Sequence, residues 1–331
     1  MKVLVTGGAG YIGSVVAQQL LAQGHEVVVL DDLSAGHPDA VLPGAAWHHG
    51  DLSEAREILD PSFGAVIHLA AKSLVGESVQ HPERYWHGNI VATLGLLDTM
   101  RAAGVGRLVF SSTAAVYGNP LPDLQGGLIT EEHPTSPINP YGASKLAIDH
   151  MLTAEAHAHG LAAVSLRYFN VGGASGGLRE RHDPETHLIP NLLKAVQGEG
   201  SGPEGPGSQG PGSHGSGAKL FGTDYPTPDG TAVRDYIHIL DLARAHLLAM
   251  DWVEPGTHEI FNLGTGVGSS VREVIDAVGR VTGRRVPVTE EPRRPGDPAT
   301  LVASGEKARR VLGWQPQHTL EDIIADAWDA L

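Results

Sequence analysis

Tyr141 and Lys145 stand four residues apart in Pro140-Tyr141-Gly142-Ala143-Ser144-Lys145, a run that a helix can enter at its proline. On a helix this spacing puts the phenol and the ammonium on one face, about one turn apart. A phenol of pKa near 10 is a poor base at neutral pH, and a neighbouring cation favours the phenolate. Alone, such a pair is ordinary surface packing, so the chemical reading needs a second feature. That feature is Thr6-Gly7-Gly8-Ala9-Gly10-Tyr11-Ile12-Gly13, in which Gly8, Gly10 and Gly13 satisfy G-x-G-x-x-G and Gly7, Gly10 and Gly13 satisfy G-x-x-G-x-x-G. Glycines so placed permit a tight turn, let the backbone approach a pyrophosphate, and turn the free N–H groups of a helix N-terminus toward the anion. Asp31, eighteen residues past Gly13, completes a dinucleotide fingerprint. A carboxylate from Asp31 or Asp32 can accept both ribose hydroxyls of an adenosine and would repel a 2′-phosphate, so NAD is expected over NADP. Its positive nicotinamide ring would add to Lys145 in favouring the Tyr141 phenolate. Phe110-Ser111-Ser112-Thr113 ends another strand, where a hydroxyl can share a proton between a substrate and Tyr141.

These residues need strands and helices to hold them. Residues 2–6, 26–30, 65–69, 106–111 and 162–167 are short, continuous Val/Ile/Leu-rich runs of the kind that form strands buried on both faces. Between them, residues 12–23, 82–103 and 141–159 carry apolar positions at helical spacing. The alternation predicts βαβ units and an α/β fold, a Rossmann-type doubly wound parallel sheet. Beyond residue 170 the pattern loosens, with helices predicted at 239–250, 270–281 and 306–312. We therefore expect an NAD-binding domain over 1–170, with returning segments near 225–262, and a smaller, mainly substrate-binding C-terminal lobe over 171–331. Residues 198–217 hold 9 Gly, 4 Ser and 3 Pro and no apolar side chain, so a flexible loop is expected there.

Composition narrows the function classes. With 23 Lys+Arg against 38 Asp+Glu the formal charge is −15, leaving no basic excess with which to engage a nucleic acid. The absence of cysteine excludes disulfides, thiolate metal sites and cysteine nucleophiles, and it fits a reducing, cytoplasmic setting. The apolar run Met1–Gly7 is too short for a signal peptide, and no stretch is long enough to span a membrane.

Taken together, Thr6–Gly13, Val75–Val79, Phe110–Gly118, Ser136–Lys145, Arg167–Asn170, Glu185–Pro190, Phe221–His238 and Arg293–Asp297 give the chain a resemblance to the extended short-chain dehydrogenases/reductases. Within them it is most similar to the UDP-glucose 4-epimerase family, especially through Tyr225-Pro226-Thr227-Pro228-Asp229-Gly230-Thr231 and Arg234-Asp235-Tyr236-Ile237-His238. The resemblance implies an isomerase with tightly held NAD and a transient, non-stereospecific oxidation at sugar C4. Tyr141 would take the proton of the 4-hydroxyl, Lys145 would lower the Tyr141 pKa and bind the nicotinamide ribose, and Thr113 would hydrogen-bond the sugar hydroxyl. It further implies a homodimer, through a four-helix contact formed by residues 82–103 and 141–159.

By the same resemblance, Gly7, Gly10, Tyr11, Ile12 and Gly13 line the pyrophosphate. Asp31, Asp32, Leu33, Ser34, Ala35 and Gly36 would hold the adenosine ribose, and Asp51 and Leu52 the adenine. Leu69, Ala70, Ala71, Lys72, Ser73 and Phe169 fall nearer the nicotinamide half. For the UDP-sugar, the matching positions are Asn170, His187, Leu188, Lys219, Phe221, Arg234, Arg294 and Asp297. Two arginines suit a diphosphate, each offering a planar donor fork.

The chain also departs from the family pattern. Ser73 stands where Lys is common, with Lys72 one position earlier, and Gly88 stands where Asn is common, with Asn89 next to it. Leu301 occupies the position that gates N-acetylated sugars, and its intermediate size leaves UDP-N-acetyl and UDP-pentose sugars open. A 4,6-dehydratase would need an Asp-Glu pair directly after Thr113, where Ala114 and Ala115 stand. A non-catalytic NAD-binding protein of this fold would be expected to lack the Tyr-Lys pair. His182 and His187 bracket Asp183 and Glu185, but without an H-E-x-x-H pattern the segment is read as part of the substrate loop, and no metal is expected.

Overall fold

The computed structural model describes residues 1–120, 127–198, 217–294 and 297–331. Most of the 198–217 segment therefore lies outside the described residues. The first part of the chain runs β1 (Lys2–Thr6), α1 (Tyr11–Ala22), β2 (Glu26–Asp31), β3 (Ala46–His49), α2 (Ala55–Ile58), β4 (Phe63–His68), α3 (Val75–Gln80), α4 (Pro82–Tyr85), α5 (Ala92–Ala103), β5 (Arg107–Ser111), α6 (Pro140–His159) and β6 (Ala162–Tyr168). It continues through β7 (Asn170–Gly172), β8 (Ala174–Ser175), β9 (Leu178–Arg179), α7 (Leu188–Gly198), β10 (Ala218–Phe221), β11 (Val233–His238), α8 (Ile239–Trp252) and β12 (His258–Leu263). The last elements are β13 (Gly268–Ser270), α9 (Val271–Thr282), β14 (Val288–Glu291), β15 (Thr300–Leu301), α10 (Glu306–Leu312) and α11 (Leu320–Asp329).

Seven strands form one parallel sheet in the order β12-β6-β5-β4-β1-β2-β3. Alternation along β1 divides its side chains between two cores. Val3 and Val5 join Val15, Val16 and Leu20 of α1 and Leu242 and Leu247 of α8 on one face. Leu4 joins Leu96 and Met100 of α5 and Ile148 and Leu152 of α6 on the other. This is the doubly wound α/β architecture, and strand order reverses at β1, between β4 and β2. A crevice opens there at the carboxyl ends of the strands, the place where such sheets take ligands.

Beyond β6 the chain builds a second layer system. Strand β11 pairs with β7, β13 and β15, and β10 pairs with β14. Helices α7, α9 and α11 pack together through Ile189, Leu192, Val196, Val274, Val278, Ile323 and Ile324. Strand β12 returns to the main sheet and pairs in parallel with β6.

Two local features differ from the sequence reading. Residues 82–103, read as one helix, are interrupted by a π-helical turn at Trp86–Val91 between α4 and α5. The wider turn brings Asn89 inward, where its side chain accepts from Lys72 N at 2.8 Å and donates to Ser144 Oγ at 3.0 Å. Strand β3, Ala-Trp-His-His, has none of the Val/Ile/Leu character on which strands were read, because it is an exposed edge.

Candidate active site

The glycine loop between β1 and α1 is shaped by close approach. Gly7 has φ +72°, and a Cβ there would lie 2.6 Å from Ala70 N. At Gly13 a Cβ would lie 2.1 Å from the Gly7 carbonyl oxygen, so the first turn of α1 can pack on the loop only without a side chain. Helix α1 begins with no side-chain cap and no acidic residue in its first turn, leaving its N-terminal N–H groups for an anion.

Asp31 and Asp32, equivalent in sequence, separate in space. Asp31 is 7% exposed and accepts from Ala9 N at 2.9 Å and Leu33 N at 2.8 Å, while Asp32 is exposed and caps its own turn through Ser34 N. Asp31 thus ties the glycine loop to the end of β2. Burial raises its carboxyl above the ordinary value, against those two backbone bonds.

Thr113, Tyr141 and Lys145 meet at the carboxyl edge of β5. Thr113 follows the strand and caps the short turn Ala114–Tyr117, its Oγ1 accepting from Ala115 N at 3.1 Å. Burial, the larger effect, raises the Tyr141 phenol, and the Thr113 hydroxyl beside it lowers it. Helix α6 begins at Pro140 behind Asn139, whose side chain accepts from Gly142 N at 2.8 Å, which fixes where Tyr141 leaves the helix. Lys145 is buried, and its Nζ donates to the Ser111 carbonyl at 2.7 Å. Burial pushes its ammonium down to about 7. Tyr168 from β6 completes this edge, its hydroxyl bonded to Ser111 Oγ.

All of these groups open on one cleft of about 2850 Å³. Its wall holds Gly7, Gly10 to Gly13, Asp31 to Gly36, Asp51, Leu52, Leu69 to Ser73, Thr113, Tyr141, Lys145 and Phe169. The lobe contributes Asn170, His187, Leu188, Lys219, Phe221, Arg234, Arg294, Asp297 and Leu301. The residues singled out by sequence therefore line a common space, although not all stand free in it. Asp51 is engaged as a cap, accepting from Ser53 N at 2.7 Å. Lys219 is exposed and paired with Glu291 at 3.4 Å. Arg234 is bonded to Asp297, and Arg294 lies 3.9 Å over the Phe221 ring. Leu301 is half-buried with Phe169 against Val116, Tyr117 and Ile129.

The departures at Lys72 and Gly88 fit each other. A Cβ on Gly88 would lie 3.4 Å from Lys72 Cε, so the lysine stem occupies the side that Gly88 leaves open. In the 180–187 segment the histidines are engaged by carboxylates: His182 by Glu180, and His187 by Glu185 at 2.8 Å. Burial, and after it the charges of Glu180 and Glu185, raise the Tyr11 phenol; Tyr11 donates to the Gly173 carbonyl at 2.7 Å. Arg181 reaches Asp39 with both Nη atoms, at 2.8 and 3.0 Å, joining this segment to the edge of the glycine-loop side. Glu180, Arg181 and Tyr168 were not singled out by sequence; the partners of Arg181 and Tyr168, Asp39 and Ser111, are distant along the chain.

The sequence profile of the NAD dependent epimerase/dehydratase family matches residues 3–264. The chain belongs to that family. A second profile, of GDP-mannose 4,6 dehydratase, matches residues 213–327. Among relatives, the UDP-glucose 4-epimerase of Corynebacterium glutamicum is 53% identical, over 99% of this chain and 95% of its own length. The crystal structure of UDP-glucose 4-epimerase from Brucella ovis in complex with NAD is 43% identical, with a TM-score of 0.88 over 99% of this chain and 97% of that one. That from Bifidobacterium longum, in complex with NAD+ and UDP, is 35% identical, with a TM-score of 0.87 over 100% and 98%. Within this epimerase/dehydratase family, a dehydratase must expel water and so needs an acid and a base beside the reacting carbons. The turn after Thr113 offers two alanines, Ala114 and Ala115.

Proposed function

We propose that this protein is a UDP-glucose 4-epimerase, interconverting UDP-galactose and UDP-glucose with NAD as cofactor. The observation that carries the reading is the meeting of Thr113, Tyr141 and Lys145 at the carboxyl edge of a dinucleotide-type sheet. Relatives and solved neighbours of that name match the chain nearly end to end. The cradle fits the cofactor: a Cβ at Gly7 or Gly13 would collide with neighbouring backbone, so glycine alone lets the loop and the first turn of α1 close up and offer uncapped N–H groups to a pyrophosphate, and Asp31 stands at the end of β2 where a ribose would lie. The chemistry that bound NAD would supply is reversible hydride exchange at sugar C4.

The chain's own groups do the rest. Tyr141 Oη takes and returns the proton of the 4-hydroxyl. Thr113 Oγ1 lowers that phenol's pKa and would steady the sugar hydroxyl. Lys145, fixed on the Ser111 carbonyl, supplies positive charge beside the phenol. The guanidinium groups of Arg234 and Arg294 would face the diphosphate, and Phe221 the uracil end, which gives an acidic chain a locally basic pocket. We take 1–170 with the returning segments as the cofactor domain and 171–331 as mainly the substrate lobe. No helix among the described residues is long and apolar enough to cross a membrane, and a cytoplasmic homodimer is the form we propose.

Leu301, of intermediate size and packed beside Phe169, leaves UDP-N-acetyl and UDP-pentose sugars as a second substrate reading. Purified protein incubated with UDP-galactose should yield UDP-glucose by chromatography, and a panel with UDP-N-acetylgalactosamine and UDP-pentoses should rank the substrates. Protein that retains NAD yet converts none of them would reject the epimerase reading in favour of a non-catalytic NAD-binding protein.

A further inference from the structure

A lysine sealed from water needs its charge answered within the protein. Lys145 is 2% exposed; its Nζ bonds the Ser111 carbonyl and lies 4.7 Å from the centre of the Phe110 ring. Neither partner carries a formal negative charge. The carboxylate that acts on it is Asp149, one turn further along α6 and equally buried.

Asp149 is held asymmetrically. Arg167 of β6 donates to its Oδ2 from Nε at 3.1 Å and Nη2 at 2.8 Å, and Ser112 Oγ reaches the same oxygen at 3.3 Å. Oδ1 is buried without a hydrogen-bond partner. A fork-to-fork pair would occupy both oxygens; here one is left, and the charge of Asp149 is only partly answered by Arg167. The guanidinium is itself fixed, since Nη1 donates to Tyr117 Oη at 3.1 Å and Tyr117 donates to Asn262 Oδ1 at 2.7 Å. Ser112 lies between Ser111, whose carbonyl holds Lys145, and Thr113, whose hydroxyl acts on Tyr141. One carboxylate therefore links the strand end and the helix that carry all three reacting groups.

The other titratable groups around Lys145 are uncharged. His68 of β4 lies between the Thr6 and Thr93 hydroxyls at 2.7 and 2.9 Å, and burial and Lys145 push it down to about 3. Tyr168 of β6 and Tyr85 of α4 are raised by burial and stay protonated. When Lys145 is in its ammonium form, the Arg167–Asp149 pair leaves the buried cluster one surplus positive charge, which a Tyr141 phenolate neutralises.

We propose that Asp149, aimed by Arg167, is a positioning residue that holds Lys145 in place and in its ammonium form beside Tyr141. The proposal deepens the epimerase reading of the site. It is tested by kcat–pH profiles on UDP-galactose for the parent, Asp149→Asn, Asp149→Glu and Arg167→Gln. Removing the carboxylate charge should lower kcat about 10- to 100-fold with KM within about twofold, and move the alkaline limb down by about one pH unit. Arg167→Gln removes a repelling charge and frees that of Asp149, so its limb should move up. Asp149→Glu should return the limb toward the parent's.

Loosened packing alone would lower the melting temperature of both variants and leave the limbs in place, so shifts of opposite sign are the signature. An Asp149→Asn limb coincident with the parent's, or an Arg167→Gln limb that does not rise, overturns the proposal. If Asp149→Asn does not fold, Arg167→Gln alone decides. Should the parent prove inactive, the epimerase reading fails first. The Tyr141 phenolate, titrated by ultraviolet absorbance as a difference against Tyr141→Phe, still reports on Asp149. It should then form at higher pH in Asp149→Asn.

Discussion

Tyr141 is pulled two ways, upward by burial and downward by the Thr113 hydroxyl, and the second pull is the one a single substitution can remove. Replacing Thr113 by Val keeps the shape and deletes the hydroxyl, so the phenol should rise and the acid limb of kcat should move to higher pH. The direction follows because the phenolate is the required form: a higher pKa means that more alkali is needed to reach it. Tyr141→Phe removes the proton acceptor itself, and kcat should fall about 10²- to 10⁴-fold while bound NAD is retained. Steady-state kinetics across pH on both variants checks the pair; a Phe variant of near-parental kcat would transfer the base role elsewhere. The Tyr141–Lys145 spacing and the Ser-Ser-Thr run were legible in sequence because they are local. Asp149 and Arg167 were not, since their ion pair joins α6 to β6 and gains its meaning only from burial.

The same distinction governs the elements. Continuous apolar strands such as Val3–Val5 announce themselves, whereas β3 at the sheet edge buries too little to need an apolar sequence. The π-helical turn at Trp86–Val91 was hidden as well, for its cause is tertiary: Asn89 reaching Lys72 and Ser144. That turn also reorients the outer face of the segment, leaving Trp86 38%, Val91 56% and Leu94 47% exposed. Side chains five apart align across a π turn and three apart along the following α-helix, so these form one apolar stripe. Such a stripe suits a second copy of the chain packed helix to helix. Light scattering should give a dimer for the parent and a monomer for Leu94→Glu, with nearly unchanged melting temperature. A parent that is monomeric at micromolar concentration, or a variant that stays dimeric, would reject this contact.

At the scale of the whole molecule, stability rests on a sheet covered on both faces, and several of its 18 histidines are built into that core. Burial pushes His68 down to about 3 and His246 and His258 to about 4, from the ordinary 6.5. His68 sits between two threonine hydroxyls in β4. His258 bridges Ser165 and Thr153, both at 2.9 Å, joining β12 to β6 and α6, and His246 Nδ1 donates to the Leu242 carbonyl of its own helix. Composition could count these histidines, but only packing distinguishes them from exposed ones such as His157. The sign of their effect follows from linkage. Between about 4 and 6.5 the unfolded chain binds protons at these sites and the folded chain does not, so stability falls as pH falls through that window. Each such proton steepens the dependence by about 1.4 kcal/mol per pH unit. The melting temperature should therefore decline sharply below pH 6.5. His258→Gln, which keeps hydrogen-bonding capacity without a titrating ring, should flatten the decline by about one proton's worth. If the variant and the parent lose stability with the same slope, His258 is not a source of the acid sensitivity.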